Sequence, residues 1–279
     1  MKRKQLSRLV TYLIILALGI ALLFPILYMF LASFKSNAEI FGTTKLLPER
    51  FSLDHYIRGW QGNGQYDYLH FFKNTFLLVI PTVLLTVISC TVVAYGFARF
   101  RFRSKKVFFS ILLATLMLPN TVIIIPRYIL FNQFGWIDTY LPFYVPALLG
   151  CYPFFIYQLV QFMRSIPRDL DEAACIDGCG TFRTLMSILM PLLKPAMFSA
   201  GLLQFTWTYN DYFNTLIYIN STSKFPVSLA MRMTLDAESV VEWGKVMAVA
   251  CIVVLPLVAL FFSAQKYFVE GITAGGVKG

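Results

Sequence analysis

Residues Leu9 to Phe34 read LVTYLIILALGIALLFPILYMFLASF, an apolar stretch without a single charged side chain. A transmembrane helix needs about 20 predominantly apolar residues, so this stretch is long enough to span a bilayer. Lys2, Arg3, Lys4 and Arg8 precede it, as in a cleavable signal peptide, but the apolar region of such a peptide has only about 7–15 residues. The stretch therefore predicts a retained first transmembrane helix.

The composition of the whole chain agrees with this prediction. Of 279 residues, 58% are apolar and only 14% are charged, where a soluble domain has about 25% charged residues. The mean hydropathy is +0.66. So few charges cannot cover that much apolar surface in water, which excludes an ordinary soluble enzyme, a disordered chain and a disulfide-built secreted module. The sequence predicts a multi-pass membrane protein.

Further apolar runs divide the chain into six predicted spans. The expected spans cover residues 9–34, 74–97, 107–125, 140–163, 196–219 and 246–268. Their number places both termini on one side of the membrane. The whole chain, 1–279, is expected to form a single transmembrane domain.

The distribution of basic residues predicts the orientation. The net charge is +10, which can indicate a nucleic-acid partner. However, fifteen of the 24 Lys and Arg residues lie at the two termini and in the loops after spans two and four. Basic residues concentrate in cytoplasmic loops. The pattern therefore predicts cytoplasmic termini, lipid as the surroundings and no nucleic acid.

The segment between spans four and five, residues 165–195, carries the most informative motif. Pro167 suits the first turn of a helix. Three acidic residues follow near the positive end of the helix dipole: Asp169, Asp171 and Glu172. Gly178 and Gly180 then interrupt the helix before a second amphipathic piece. This pattern predicts a bent pair of helices suited to the groove of a partner protein. A helix lying on lipid headgroups would explain the amphipathicity, but not the small residues and carboxylates.

The string Glu172-Ala173-Ala174, followed by Asp177-Gly178, resembles the EAA motif of ABC importer permease subunits. The resemblance covers most of the chain, because Asn74-Thr75 and Met117-Leu118-Pro119 are also typical of these permeases. The ending from Gln265 to Gly279 is similar to that of the maltose and glycerol-3-phosphate type of permease, the carbohydrate uptake transporter-1 family.

The resemblance implies an all-α membrane protein with the type I ABC importer permease fold, six transmembrane helices and a cytoplasmic coupling helix. It implies a second homologous permease subunit, a dimer of ATP-binding subunits, an extracytoplasmic solute-binding protein and a carbohydrate substrate. ATP and Mg²⁺ would be bound by the partner subunits, with no cofactor on this chain. Such a protein lies in the bacterial cytoplasmic membrane. A non-sugar solute is the alternative substrate.

The resemblance also implies contacts with the ATPase. The expected ATPase-coupling residues are Glu172, Ala173, Ala174, Asp177 and Gly178. Glu172 would face a basic residue of the partner, and the small residues would allow close packing. A second ATPase contact is expected in the tail, at Gly271, Gly275, Gly276 and Lys278. The same glycines are equally consistent with a disordered end. The outer loop at about 220–244 would face the binding protein.

Polar residues inside apolar spans are costly and indicate functional positions. One set is expected to line the translocation path: Asn120, Gln204, Tyr209, Asn210, Asp211 and Asn214. Asp211 is predicted to lie in the outer half of span five, where related permeases often carry Trp-Asn-Asp or Trp-Asn-Glu. These side chains can instead bond neighbouring helices or the partner permease.

Other functional classes lack their signatures in this sequence. A secondary transporter usually has an inverted repeat and more spans. No Gly-Lys-Ser/Thr phosphate loop and no His-Glu-x-x-His zinc motif occurs, and the only histidines are His55 and His70. Cys175 and Cys179 are one helical turn apart, but no histidine and no second pair of cysteines accompanies them. The sequence predicts a permease without catalytic or metal-binding residues, which receives the work of ATP hydrolysis from another chain.

Overall fold

The computed structural model describes residues 2–62, 64–236 and 241–276, and all regular structure within these ranges is helical. The α-helices are α1 (Lys2–Ala32), α2 (Asn37–Gly42), α3 (Asp54–Trp60), α4 (Tyr68–Arg99), α5 (Lys105–Leu116), α6 (Asn120–Gln133), α7 (Leu141–Leu148), α8 (Pro153–Ser165), α9 (Asp169–Ile176), α10 (Thr181–Thr184), α11 (Met190–Tyr209), α12 (Tyr212–Tyr218), α13 (Val227–Asp236) and α14 (Trp243–Gly276). A π-helical turn, Leu185–Leu189, joins α10 to α11, and a 3₁₀ turn covers Thr222–Lys224.

Several helical segments are long and apolar enough to cross a membrane. Among the described residues there are five: Ser7–Ala32, Tyr68–Arg99, Leu141–Ser165, Thr181–Tyr209 and Trp243–Ala264. The bent pair α5 and α6 makes a sixth if it counts as one span. The apolar window of the first segment has no residue buried within this chain. Such a surface needs lipid or another protein around it.

The predicted third span is not one continuous helix. The sequence predicts one span over 107–125, but the structure has α5 and α6, which meet at 105°. Pro119 stands at the N-cap of α6 with φ −62° and ψ 135°, an extended conformation. A residue that precedes proline is disfavoured in helical geometry. The chain therefore leaves the helix before Pro119 and starts again at Asn120.

The fifth span also differs from its predicted bounds. Its helix begins with α10 at Thr181 rather than near residue 196, and α11 ends at Tyr209. Asp211 follows this end and caps α12, because its carboxylate accepts a hydrogen bond from the backbone N–H of Asn214 at 3.0 Å. The prediction that Asp211 lies inside a continuous span is therefore wrong, since a carboxylate that caps a new helix marks a break in the span.

The chain divides into two compact units, of which the first comprises residues up to His70 together with Ala230–Leu257. In this unit Asn37 binds a distant backbone segment. Its amide donates to the carbonyl of Val241 at 2.7 Å and accepts from the N–H of Trp243 at 2.9 Å. Arg58 and Glu242 form an ion pair at 3.1 Å. These polar contacts join parts of the sequence that are far apart.

The second unit comprises Phe71–Leu229 and residues from Val258 onward. Its main core joins α4, α8 and α11 through buried apolar side chains: Cys90, Ala94, Phe155, Ile156, Leu159, Val160, Ala196 and Ala200. A second cluster buries Phe131, Phe143 and Tyr218. A third contains Tyr95 and Met163 with residues of the π-helical turn. These clusters position the two regions described next.

Candidate functional site

The first region is a bend between α9 and α10, and we call residues 169–184 the elbow. Helix α9 ends in a Schellman motif. The N–H of Cys179 donates to the carbonyl of Ala174 at 2.9 Å, and the N–H of Gly178 donates to that of Cys175 at 3.1 Å. Gly178 has φ 75°, in the left-handed region that glycine adopts readily. The predicted break at Gly178 and Gly180 is confirmed, because α10 begins directly after Gly180.

The expected ATPase-coupling residues occupy different environments. Glu172, Ala173, Asp177 and Gly178 are exposed on the elbow. Ala174 is only 2% exposed, because this face of α9 packs within its own chain. Ala174 is therefore not free for packing against a partner, contrary to the expectation from the sequence.

The elbow is joined to the end of helix α4 by polar contacts. The Nε atom of Arg99 lies 3.1 Å from a carboxylate oxygen of Asp171, and the Arg99 side chain is 7% exposed. Arg99 also donates to the carbonyl of Ile166 at 3.1 Å, and Arg168 donates to that of Ala98 at 3.3 Å. These contacts tie the elbow to a predicted membrane helix. Arg99 is not among the site residues predicted from the sequence.

Two large apolar side chains on the elbow are exposed. Ile176, the last residue of α9, is 87% exposed, and Phe182 in α10 is 72% exposed. Each stands beside polar or charged residues on a short helix. Their exposure leaves both side chains available for contact with a partner protein.

The second region is a cavity of about 880 Å³ within the second unit. It is lined by Asn120, Arg127, Leu130, Phe131, Pro142, Phe143, Pro146, Cys151, Tyr152, Gln204, Thr206, Trp207, Thr208, Asn210, Asp211, Asn214 and Tyr218. Five of the six residues expected in the translocation path are among them. The sixth, Tyr209, is not: its side chain is 3% exposed and stacks on Phe205 with ring centroids 5.7 Å apart. Tyr209 lies on another face of α11 than Gln204 and Thr208.

Arg127 is the basic residue of the cavity lining. Its Nε donates to the hydroxyl of Tyr218 at 2.9 Å. Its Nη2 donates to the Oδ1 atoms of Asn120 at 2.7 Å and Asn214 at 3.2 Å. Arg127 is not among the residues predicted from the sequence, because a third span that ends near residue 125 places it in an outer loop. The helical periodicity continues beyond Pro126, and this pattern could have predicted a helix that includes Arg127.

Other polar side chains of the cavity are engaged in part. Asn214 donates through Nδ2 to both carboxylate oxygens of Asp211, at 2.9 and 2.8 Å. Asn210 donates to the carbonyl of Thr206 at 2.9 Å. Gln204 donates through Nε2 to Thr208 at 3.0 Å, but within the described part of the chain its Oε1 accepts no hydrogen bond.

A third polar cluster joins two loops of the second unit around Asp138. Its carboxylate accepts from the backbone N–H of Asn220 at 3.0 Å and from that of Ser221 at 2.8 Å. It also accepts from the Ser221 hydroxyl at 2.6 Å and the Lys224 ammonium at 2.9 Å. Burial tends to raise the pKa of Asp138, but these hydrogen bonds hold it well below its usual range. The carboxylate therefore fixes the start of the outer loop expected at about 220–244.

The expected tail contact is described only in part. Gly271, Gly275 and Gly276 belong to the backbone of α14. Lys278 lies outside the described residues. In the described ranges no group of three or more His, Cys, Asp and Glu side chains is arranged to hold a metal ion.

Comparison with known proteins identifies the family. Residues 91–274 match the model of the family described as binding-protein-dependent transport system inner membrane component. The match includes the elbow and the cavity and covers more than half of the chain. The chain belongs to this family. The resemblance to importer permeases is confirmed, and the protein is a membrane component of a transport system rather than an enzyme.

Individual relatives of this permease agree with the family match. It is 31% identical over 261 residues to the probable ABC transporter permease protein YurM of Bacillus subtilis, covering 93% of this chain and 85% of that protein. It is 30% identical to the trehalose/maltose transport system permease protein MalG of Thermococcus litoralis, with both chains covered completely.

The fold of the permease matches a solved transporter. A crystal structure of a bacterial ABC transporter involved in the import of the acidic polysaccharide alginate contains a chain that aligns with a TM-score of 0.81. The alignment covers 96% of this chain and 98% of that chain at 22% sequence identity. The predicted all-α importer permease fold is thereby confirmed.

Proposed function

We propose that this permease forms half of the translocation pathway of an ABC importer for a carbohydrate. The cavity carries this proposal. Polar side chains that can bond sugar hydroxyls lie beside aromatic rings such as Trp207, which can stack on a sugar ring. The relative from Thermococcus litoralis is named for trehalose and maltose transport, which supports a carbohydrate as the substrate.

The other half of the pathway would come from a second, homologous permease subunit. An extracytoplasmic solute-binding protein would deliver the sugar, and a dimer of ATP-binding subunits would supply the work. We expect ATP and Mg²⁺ to bind on those ATPase subunits and no cofactor to bind on this chain. The exposed elbow, with Glu172 and Ile176, offers the surface for the ATPase.

Coupling would run from the elbow into the membrane helices. When ATP closes the ATPase dimer, the elbow is displaced, and the contact between Arg99 and Asp171 passes the displacement to α4. The cavity then faces alternately outward and inward. This arrangement requires the elbow to lie in the cytoplasm, and the surplus of Lys and Arg in the same set of loops supports cytoplasmic termini.

Reconstitution of the assembled transporter in proteoliposomes tests this function. The binding protein encoded beside this permease is purified, the sugar that it retains is identified by mass spectrometry, and uptake of that sugar is measured with and without ATP. Glu172→Ala is expected to lower binding-protein-stimulated ATPase activity at least tenfold. Asp169→Ala, an equally exposed acidic change on α9, is the matched control and should retain most of the activity.

Three outcomes would contradict the proposal. Uptake that needs an ion gradient but no ATP would indicate a secondary transporter. A non-saccharide solute on the binding protein would indicate the alternative substrate class. Wild-type binding-protein-stimulated ATPase activity in Glu172→Ala would contradict the assignment of the ATPase contact to the elbow.

A further inference from the structure

Arg127 forms no direct ion pair with Asp211, the carboxylate that also lines the cavity. Its three hydrogen bonds go to the neutral oxygens of Asn120, Asn214 and Tyr218. Within the part of the chain that the structure describes, Arg127 forms no ion pair, and its Nη1 atom donates to no side chain or backbone carbonyl. Two N–H groups of the guanidinium thus remain available.

Asp211 does not neutralise this charge directly, although it also lines the cavity. The amide of Asn214 lies between the two charged groups. Its Nδ2 occupies both carboxylate oxygens of Asp211, while its Oδ1 accepts from Arg127. These hydrogen bonds fix the orientation of the Asn214 amide. They also keep the carboxylate of Asp211 bonded to α12, the helix that it caps. The other titratable groups of the lining are Cys151, Tyr152 and Tyr218.

An arginine held in this way is suited to an anionic ligand. The planar guanidinium presents paired N–H donors whose geometry fits a carboxylate or a phosphate, and such charge-assisted bonds are stronger than those between neutral groups. Because Nε and Nη2 are held by this chain, Nη1 is presented as the free corner of a rigid group.

We infer that the carbohydrate carried by this permease bears an anionic group, a carboxylate or an ester phosphate, which binds Nη1 of Arg127. The inference rests on the proposed function, since it concerns the substrate of the same cavity. The sugar ring would lie toward Trp207, which also lines the cavity.

Binding of matched sugar pairs to the assembled transporter in lipid nanodiscs tests the inference. The pairs are trigalacturonate with galactotriose, and glucose 6-phosphate with glucose, so the two arms separate a carboxylate from a phosphate. Trp207 reports binding by fluorescence, and Trp207→Phe assigns the signal. We expect the anionic member of one pair to bind at least tenfold more tightly than its neutral partner.

Variants of the cavity residues test whether Arg127 causes the preference for the anionic sugar. Arg127→Gln should reduce the preference to less than twofold, whereas Arg127→Lys should keep part of it. Asn214→Asp, which places a carboxylate beside Arg127, should also weaken anion binding. Arg103→Gln changes an exposed arginine outside the cavity and should keep the wild-type preference. Thermal unfolding of each variant shows that it is folded.

Equal binding of both members in both pairs, absence of binding by all four sugars, or a preference that survives Arg127→Gln would overturn the inference. The proposed function is tested separately, because the Glu172→Ala coupling measurement does not involve Arg127. ATP-driven uptake of a neutral saccharide together with equal binding in both pairs would leave the proposed function standing and reject the anionic substrate.

Discussion

The guanidinium of Arg99 and the carboxylate of Asp171 form an ion pair that joins the end of a membrane helix to the elbow. Neither Arg99 Nε nor Asp171 Oδ2 has an aligned hydrogen-bond partner among the described residues, so charge rather than hydrogen-bond geometry holds them together. Arg99 is almost fully buried and Asp171 is 24% exposed. A pair shielded from water to this degree is screened less by salt than a surface pair.

Arg99→Gln is therefore expected to uncouple transport from ATP hydrolysis. It leaves Asp171 unpaired and should lower the free energy of unfolding by about 1–3 kcal/mol, between the values for exposed and fully buried ion pairs. Binding-protein-stimulated ATPase activity in proteoliposomes should fall more than binding of the ATPase subunits does. Arg101→Gln, an exposed change two residues away, is the control. If the double variant Arg99→Asp with Asp171→Arg recovers no coupling, the ion pair is not the connecting element.

The left-handed conformation of Gly178 gives a second prediction. With φ at 75°, a side chain at this position is strained even though a Cβ atom would meet nothing within 4 Å. Gly178→Ala should therefore destabilise the elbow by about 1–2 kcal/mol, and Gly178→Asn should cost less, because asparagine tolerates this region better.

Thermal unfolding of the purified complex measures these costs. Gly180→Ser is the matched control, since Gly180 has φ −70° at an N-cap, a position that serine favours. An unchanged melting temperature in Gly178→Ala would show that the elbow does not need this turn.

The sequence was sufficient for the membrane class and for the elbow. Both depend on local signals: apolar runs, and glycines that end a helix where its capping hydrogen bonds require them. The contents of the cavity depend on tertiary structure instead. Arg127 lines the cavity from α6, a helix that is turned by 105° relative to α5. No periodicity within 107–125 specifies that angle.

The sequence also does not indicate which individual residues of the motif are buried. Ala173 and Ala174 are chemically identical and adjacent, yet one is exposed and the other buried. Successive residues of a helix point in directions about 100° apart. Which of them faces the chain follows from the packing of α9, and the motif alone does not contain it.

The cluster around Asp138 predicts a pH-dependent stability. Because its folded-state pKa is lowered, Asp138 contributes stability fully above its unfolded value of about 3.9 and loses it as the pH falls below that value. Asp138→Asn keeps the tolerance for φ 60° but removes the charge. Its melting temperature should lie below that of the wild type at pH 7, with a smaller difference at pH 3. A difference that does not change between these pH values would contradict the role of the charge.

Ile176 gives the last prediction, which concerns the ATPase contact. Because Ile176 is 87% exposed, Ile176→Asp removes little packing within this chain. It should change the melting temperature of the isolated permease by less than about 2 °C, in line with a change in unfolding free energy below about 0.5 kcal/mol. The same change places a charge at the centre of the proposed interface, so binding of the ATPase subunits should weaken at least tenfold, as measured by co-purification and by titration in detergent. Leu47→Asp is the control, because Leu47 is 65% exposed on a loop far from the elbow in sequence. Wild-type binding of the ATPase subunits by Ile176→Asp would mean that Ile176 is not part of the ATPase contact. Equally weakened ATPase binding in Leu47→Asp would mean the same.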